Sequence, residues 1–387
     1  MGDAEPRLSI KLHGSIAAIG EAAWDACAGE DNPFVSWRFL NALEESGSVS
    51  ARTGWAPQHL TVEDDTGQVI GCAPMYLKGH SQGEYVFDHG WAQAFEQAGG
   101  RYYPKLLIAV PFSPVPGPRL LTHRDLRRED VLPLVIAGAT EAAKQLKVSS
   151  LHINFPPEDE WAFLGEHGFL QRTGEQFHWA NDGYKTFDDF LAALSSRKRK
   201  AIRKEREGAV ENGIALHVFT GDAIAEEHWD AFFAFYLDTG SRKWGRPYLN
   251  REFFTLLGAA MADRIALVMA ERDGRWIAGA LNMIGADTLY GRYWGCLEEH
   301  RFLHFETCYY QAIDFAIAHG LARVEAGAQG THKLARGYLP VHTFSAHWIR
   351  DPGFRRAVEQ FLVRERAAVD QEIEALDEYS PFRREQD

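Results

Sequence analysis

The stretch from Asp287 to Pro340 constrains this chain more than any other, because it spells one strand–helix–strand unit followed by an unusual loop. Leu289 to Cys296 (LYGRYWGC) is aromatic-rich and reads as a strand in spite of Gly291 and Gly295. Phe305 to His319 sets Phe305, Tyr309, Ala312, Ile313, Ala316 and Ile317 at helical spacing, and Gly320 stops the run. Leu321 to Glu325 is short enough for a strand returning beside the first, which requires a parallel pair. The loop behind it is odd for a core, with Gln329, His332, Lys333 and Arg336 set among glycines. Open α/β sheets place ligands at such polar loops, so this one reads as half of an active site.

The rest of the chain accommodates two domains. At 387 residues, 45% hydrophobic and 25% charged, it has ordinary globular values. A net charge of −13 argues against general coating of nucleic acid but leaves room for a local basic groove. Cys27, Cys72, Cys296 and Cys308 show no CxxC spacing and read as reduced core thiols, which suits a cytoplasmic protein. The first residues lack the apolar run of a signal peptide, and no run of about 18 apolar residues is long enough to span a membrane. The 16 histidines carry no HExxH spacing, so no metal is expected.

Strand and helix signals recur in a similar order in both halves. In the first, Gln58–Glu63 and Val69–Leu77 read as a hairpin, Val131–Leu146 as a helix, Ser150–Phe155 as a strand and Gln171–Ala180 as another. Asp88, His89 and Trp91 are placed at a strand exit. PFSPVPGPR stiffens a loop and fixes where Arg119 points. Arg119 is then either one wall of a substrate cleft or a solvated arginine on a rigid connector. A boundary near residue 184 divides domains 1–184 and 185–387.

The second domain opens with Thr186 as a helix N-cap. One helix is expected, burying Phe187, Phe190, Leu191, Leu194, Ala201 and Ile202. Inside it, seven of the ten residues from Arg197 to Arg206 are basic. Arg197, Lys198, Arg199, Lys200 and Arg203 are either a track for an RNA backbone or a solvated face. Beyond it, SRKWGRPYLN makes a cationic loop around Trp244. Phe354 to Leu376 closes the chain as a helix burying Val358, Phe361, Leu362, Val369, Ile373 and Leu376.

SSRKRKAIRKERE, FFAFYLDTGSRKWGRPYLNREFF, GRYWGCLEEHRFLHFETCYYQAIDFAIAHG and GAQGTHKLARGYLP together resemble the FemAB-like predicted N-acyltransferases of the GNAT superfamily. DNPFVSWRFLNALEESGSV and YYPKLLIAVPFSPVPGPRLL extend the resemblance over nearly the whole chain. The resemblance implies an α+β fold of two GNAT-like domains in tandem, with mixed central sheets flanked by helices. It places the cleft at the second domain and the domain interface, and implies transfer of an acyl or aminoacyl group to an amine on a small molecule or peptide. The donor would be a substrate, acyl-CoA or aminoacyl-tRNA, with no tightly bound cofactor. LEEHRFLHFE lacks the Q/R-x-x-G-x-G/A pattern that holds the CoA diphosphate, and Glu298 and Glu299 stand where they would repel it. Fem-type relatives use aminoacyl-tRNA, although the long inserted arm that carries their basic signal is absent here. The alternative reading is a non-catalytic module recognising a peptidoglycan-precursor-like or nucleotide-linked ligand.

Such chemistry needs a held acyl donor, a deprotonated amine and a partner for the oxyanion. Glu306, Glu325 and His332 are the candidate bases. Lys333 and Arg336, three residues apart, can share a face against a phosphate or oxyanion. Gln329, Tyr293, Trp294, Trp244, Arg119 and Asp88 are candidate substrate contacts, with one of Tyr293 and Trp294 expected in the core. Glu306 has a plainer role as a complement to its helix N-terminus, and His332 as a structural histidine.

Overall fold

The structure, a computed structural model, describes residues 8–243, 247–327 and 330–383. Its contacts divide the chain into two compact units, 1–174 with 343–370 and 175–342 with 371–387. Both divisions fall inside strands, Leu170–Ala180 and Leu339–Ile349.

The N-terminal unit has two sheets. Ser9–His13, His59–Glu63, Val69–Ala73 and Leu121–Thr122 form one, antiparallel throughout. In the other, Trp55–Pro57, Met75–Lys78 and Lys105–Ile108 pair antiparallel, then Ser150–Asn154 runs parallel to Lys105–Ile108. The chain between that parallel pair carries the helix Arg128–Gln145, whose Val131, Val135 and Ala139 pack on Leu60, Ile108, Leu151 and Ile153. The expected hairpin forms, His59–Glu63 against Val69–Ala73, but the strand expected over Val69–Leu77 is two, parted at Pro74. Proline has no N–H for a ladder, and the halves on its two sides join different sheets.

The C-terminal unit repeats the plan. Ala215–Phe219, Ile265–Arg272, Arg275–Ile284 and Thr288–Cys296 pair antiparallel in that order. The short strand Arg323–Glu325 then lies parallel to Thr288–Cys296, as its length requires, and antiparallel to Trp179 and its neighbours. Leu289 and Val324 pack beneath Tyr310, Ile313 and Ala316 of the crossover helix.

Three expected helices differ in detail. The helix after Thr186 is two, Phe187–Ala193 and Ser196–Ala209. Leu194 takes an extended conformation and bridges Phe382, and the Ser195 N–H donates to the Pro381 carbonyl. The break re-aims the second helix, so Ala201 is exposed where burial was expected. The crossover helix contains a π turn, Glu306–Tyr310, between Leu303–Phe305 and Gln311–Ala318. In the closing helix Pro352–Asp377, Val358, Leu362 and Ile373 are buried, but Phe361 faces solvent. Among the described residues, no helix is long and apolar enough to cross a membrane.

Candidate active site

The two parallel strands of the C-terminal unit share three residue pairs, Thr288–Arg323, Leu289–Val324 and Tyr290–Glu325. There the second strand ends, while the first runs on to Cys296. Beyond Tyr290 its far edge has no strand partner among the described residues, and a cavity of about 90 Å³ opens at the parting. Gly291 sits where they separate. A β-carbon there would lie 3.2 Å from the Glu325 carbonyl oxygen and 3.7 Å from the Ala326 α-carbon. The glycine that seemed out of place in a strand therefore keeps the fork narrow at its apex.

Both Tyr293 and Trp294 line this cavity and both are half-buried, Trp294 also packing against the buried cluster of Ile214, Ile277 and Leu303. Tyr293 packs edge-on to Tyr236, and Trp294 against His304 at 5.1 Å. Arg292, His304, Cys308 and Tyr309 complete the polar lining. None of the four is a site residue expected from the sequence; Tyr309 belongs to the buried cluster, as its helical spacing predicts, and lines the cavity as well. The π turn Glu306–Tyr310, which helical spacing does not announce, brings Cys308 and Tyr309 there.

The loop that was read as half of the site forms the tight turn Thr331–Arg336. His332 Nε2 lies 2.9 Å from the hydroxyl of Tyr309, a residue of the cavity lining. Burial drives the Tyr309 phenol far up, so it stays protonated at neutral pH. Lys333 is 2% exposed and donates to the Gly327 carbonyl at 2.8 Å. Burial brings its ammonium down to about 8, against the opposing pull of the nearby Cys308 sulfur. Arg336 lies over the Phe305 ring, donates to the His332 carbonyl at 2.6 Å and pairs with Glu205 at 2.9 Å. Lys333 and Arg336 thus share a turn but not a target. Gln329 and Trp244 lie outside the described residues.

Two of the three candidate bases are placed elsewhere. Glu306 is 2% exposed, held by Arg206 at 2.9 Å and by Gln311 at 2.8 Å. Burial raises its carboxyl in spite of Arg206, and it does not line the cavity. It ties the crossover helix to the basic helix. Glu325 is buried at the end of its strand, 4.0 Å from His178 Nδ1. His332 alone is coupled to the cavity.

The basic helix Ser196–Ala209 divides along its length. Arg203 pairs with exposed Asp188, and Arg206 with Glu306 and Asp314. Arg197, Lys198, Arg199, Lys200 and Lys204 enter no ion pair among the described residues, and the first four crowd the first turn and a half of the helix. Like charges so close repel one another, so a long unpaired run favours an anionic partner over a stabilising role.

In the N-terminal unit neither candidate faces a cleft. Arg119 is fully buried and donates to the carbonyls of Val115, Gly117, Pro118 and Asn154, while its own N–H reaches Glu160. The proline-rich loop wraps around its arginine instead of aiming it outward. Asp88 precedes the helix His89–Gln97, not a strand exit, and is buried against Lys105 and the Tyr102 hydroxyl. A groove of about 700 Å³ also lies in this unit, beside Asn41, Glu44 and Ser50. Of its two lining carboxylates, Glu44 is already bonded to the Ile16 N–H and to His59, and Glu45 accepts from Asn41. We place the chemistry at the smaller cavity, where titratable groups converge.

Solved structures share this architecture. FemX matches at a TM-score of 0.55 and 14% identity, over 92% of this chain and all of its own. The C-terminal domain of a putative lysylphosphatidylglycerol synthetase from Agrobacterium fabrum matches at 0.54 and 10%, covering 92% and 98%. L-PGS from Bacillus licheniformis matches at 0.51 and 12%, covering 86% and 98%. A comparison with curated sequences gives no match. The fold is the expected α+β one, mixed sheets flanked by helices. The likeness to FemAB-like proteins, whose description is peptidoglycan biosynthesis/recognition, covers residues 15–384, and the chain belongs to that family.

Proposed function

We propose that the C-terminal unit transfers an acyl or aminoacyl group to an amine, forming an amide. The observation that carries this is the fork of parallel strands, with a cavity at its apex and, in its lining, Tyr309, whose hydroxyl His332 meets at 2.9 Å. A strand edge without a strand partner can hold an extended acyl donor by its backbone N–H and C=O groups. The amine attacks the donor carbonyl, a C–N bond forms, and the C–O or C–S bond to the carrier breaks. Tyr309 donates its proton to the departing atom, and His332 restores it with the proton the amine gives up. A volume of about 90 Å³ matches roughly three waters at ~30 Å³ each, the size of a small acyl or aminoacyl group.

The unpaired cations favour aminoacyl-tRNA as the donor, in a cytoplasmic setting, with acyl-CoA second. A peptidoglycan-precursor peptide is the acceptor class that the family description supports. Ligands that bind only the native state raise its melting midpoint, so charged tRNA, acetyl-CoA and longer acyl-CoAs are to be titrated in turn. Charged tRNA is expected to raise the midpoint and to stop doing so when Arg197, Lys198 and Lys200 become Glu. Tyr309→Phe should then slow transfer about 10²-fold while leaving the midpoint within a degree or two. A shift with CoA esters alone would assign the donor to that class. Binding of the precursor peptide with no donor consumed would leave a recognition module.

A further inference from the structure

Glu205 stands within a run of cations and reads as one solvated carboxylate of a charged helix. Its two oxygens are engaged on two different walls of the site. One accepts from Arg336 at 2.9 Å, and the other accepts from the Tyr310 hydroxyl. Arg336 in turn donates to the backbone carbonyl of His332. Tyr310 directly follows Tyr309 on the π turn, and Tyr309 and His332 meet at 2.9 Å. One carboxylate is therefore linked to both partners of that contact, through the Arg336 side chain to the His332 carbonyl and through the Tyr310 side chain to the chain neighbour of Tyr309. Arg336 is buried, so its charge depends on this pairing to stay where it is.

We propose that Glu205 is a positioning residue, which sets the Tyr309–His332 contact by holding Tyr310 and Arg336 together. This rests on the acyl-transfer reading for its consequence in catalysis, but not for the geometry it fixes. The same helix carries the unpaired cations, so the element that meets the donor also aligns the proton-transfer pair. A small misplacement of such a pair is costly to rate even where substrate binding is untouched.

Nitrogen-15 NMR of the histidine side chains, with the His332 signal assigned by its loss in His332→Gln, reads the contact without any substrate. In Glu205→Ala the His332 imidazole signals should move. In Glu205→Gln they should stay near wild type, because the amide can accept from Arg336 and donate to the Tyr310 oxygen. Glu207→Ala, an exposed carboxylate on the same helix, should change nothing. With a donor in hand, Glu205→Ala should lower kcat roughly tenfold or more with KM within about twofold, and Gln should recover most of the loss. Unmoved His332 signals in Glu205→Ala overturn the positioning role, whatever the protein does with acyl donors. If Glu205→Ala does not fold, Tyr310→Phe, which removes one hydroxyl, decides in the same way. Signals that move in a protein consuming no donor would sink acyl transfer and leave the positioning intact.

Discussion

Arg119 and Lys333 are both cations buried to within 2%, and their surroundings give them opposite uses. Arg119 distributes its donors over four backbone carbonyls, so its charge is satisfied by dipoles and it acts as an internal clasp. Arg119→Ala leaves those carbonyls facing a void and should cost about 3 kcal/mol or more, measured by urea unfolding, without altering ligand binding. Lys333 has the Gly327 carbonyl as its acceptor, and burial holds its ammonium near 8, within reach of deprotonation at working pH. Residue type and loop composition draw the eye to His332, Lys333, Tyr293 and Trp294, and the structure sets Tyr293 and Trp294 in the cavity lining and His332 beside Tyr309. Type and composition could not sort Glu306 from a base, because the partner that claims it, Arg206, lies 100 residues away. Arg119 misled for the same reason: a cation in a stiff loop looks the same in sequence whether it points out or in.

Among elements, the strands were legible because alternation and turn signals are local, and the parallel pair followed from connection length. The π turn was not. Helical periodicity over Phe305–His319 is satisfied by either geometry, and the choice is made by the tertiary bonds of Glu306 and Tyr310. The break at Leu194 was hidden too, since the apolar spacing continues through it and its bridge partner, Phe382, lies far along the chain. Gly295 shows how a residue unfavourable in a strand becomes required. A β-carbon there would come within 2.2 Å of the Phe235 carbonyl oxygen on the helix Glu226–Lys243. Backbone cannot swing aside as a side chain can, so Gly295→Ala should push that helix off the sheet. We expect a loss of about 2 kcal/mol or more and a disturbed Tyr236–Tyr293 contact, visible as a changed near-ultraviolet circular dichroism spectrum.

For the whole molecule, buried titratable groups set the response to acid. Burial brings His152 and His178 down to about 3 and His347 well below its ordinary value. The stability they contribute is complete above their unfolded value of 6.5 and is lost as pH falls toward 3. Glu84 and Glu160 are raised by burial to about 7, so acidification from 7 to 4.5 adds stability through them. The two groups oppose each other in that window; below 4.5 the carboxyls no longer offset the histidines, and Asp88, held low by Lys105 against its burial, adds to the loss. Unfolding free energy should therefore change gently between pH 7 and 4.5. It should then fall steeply, by up to about 4 kcal/mol per pH unit for three protons at ~1.4 each. Urea titrations at half-unit intervals would show the bend; a uniform slope from pH 7 downward would contradict it.

The division of the chain has a consequence for synthesis. The N-terminal unit is complete only with 343–370, whose strand residues Ser345–Ile349 pair with Ser150–Asn154. While a ribosome is still making 175–342, the first 174 residues wait with the edge of Ser150–Asn154 unpaired. The N-terminal unit can close only after 345–349 have left the ribosome, behind the whole of 175–342.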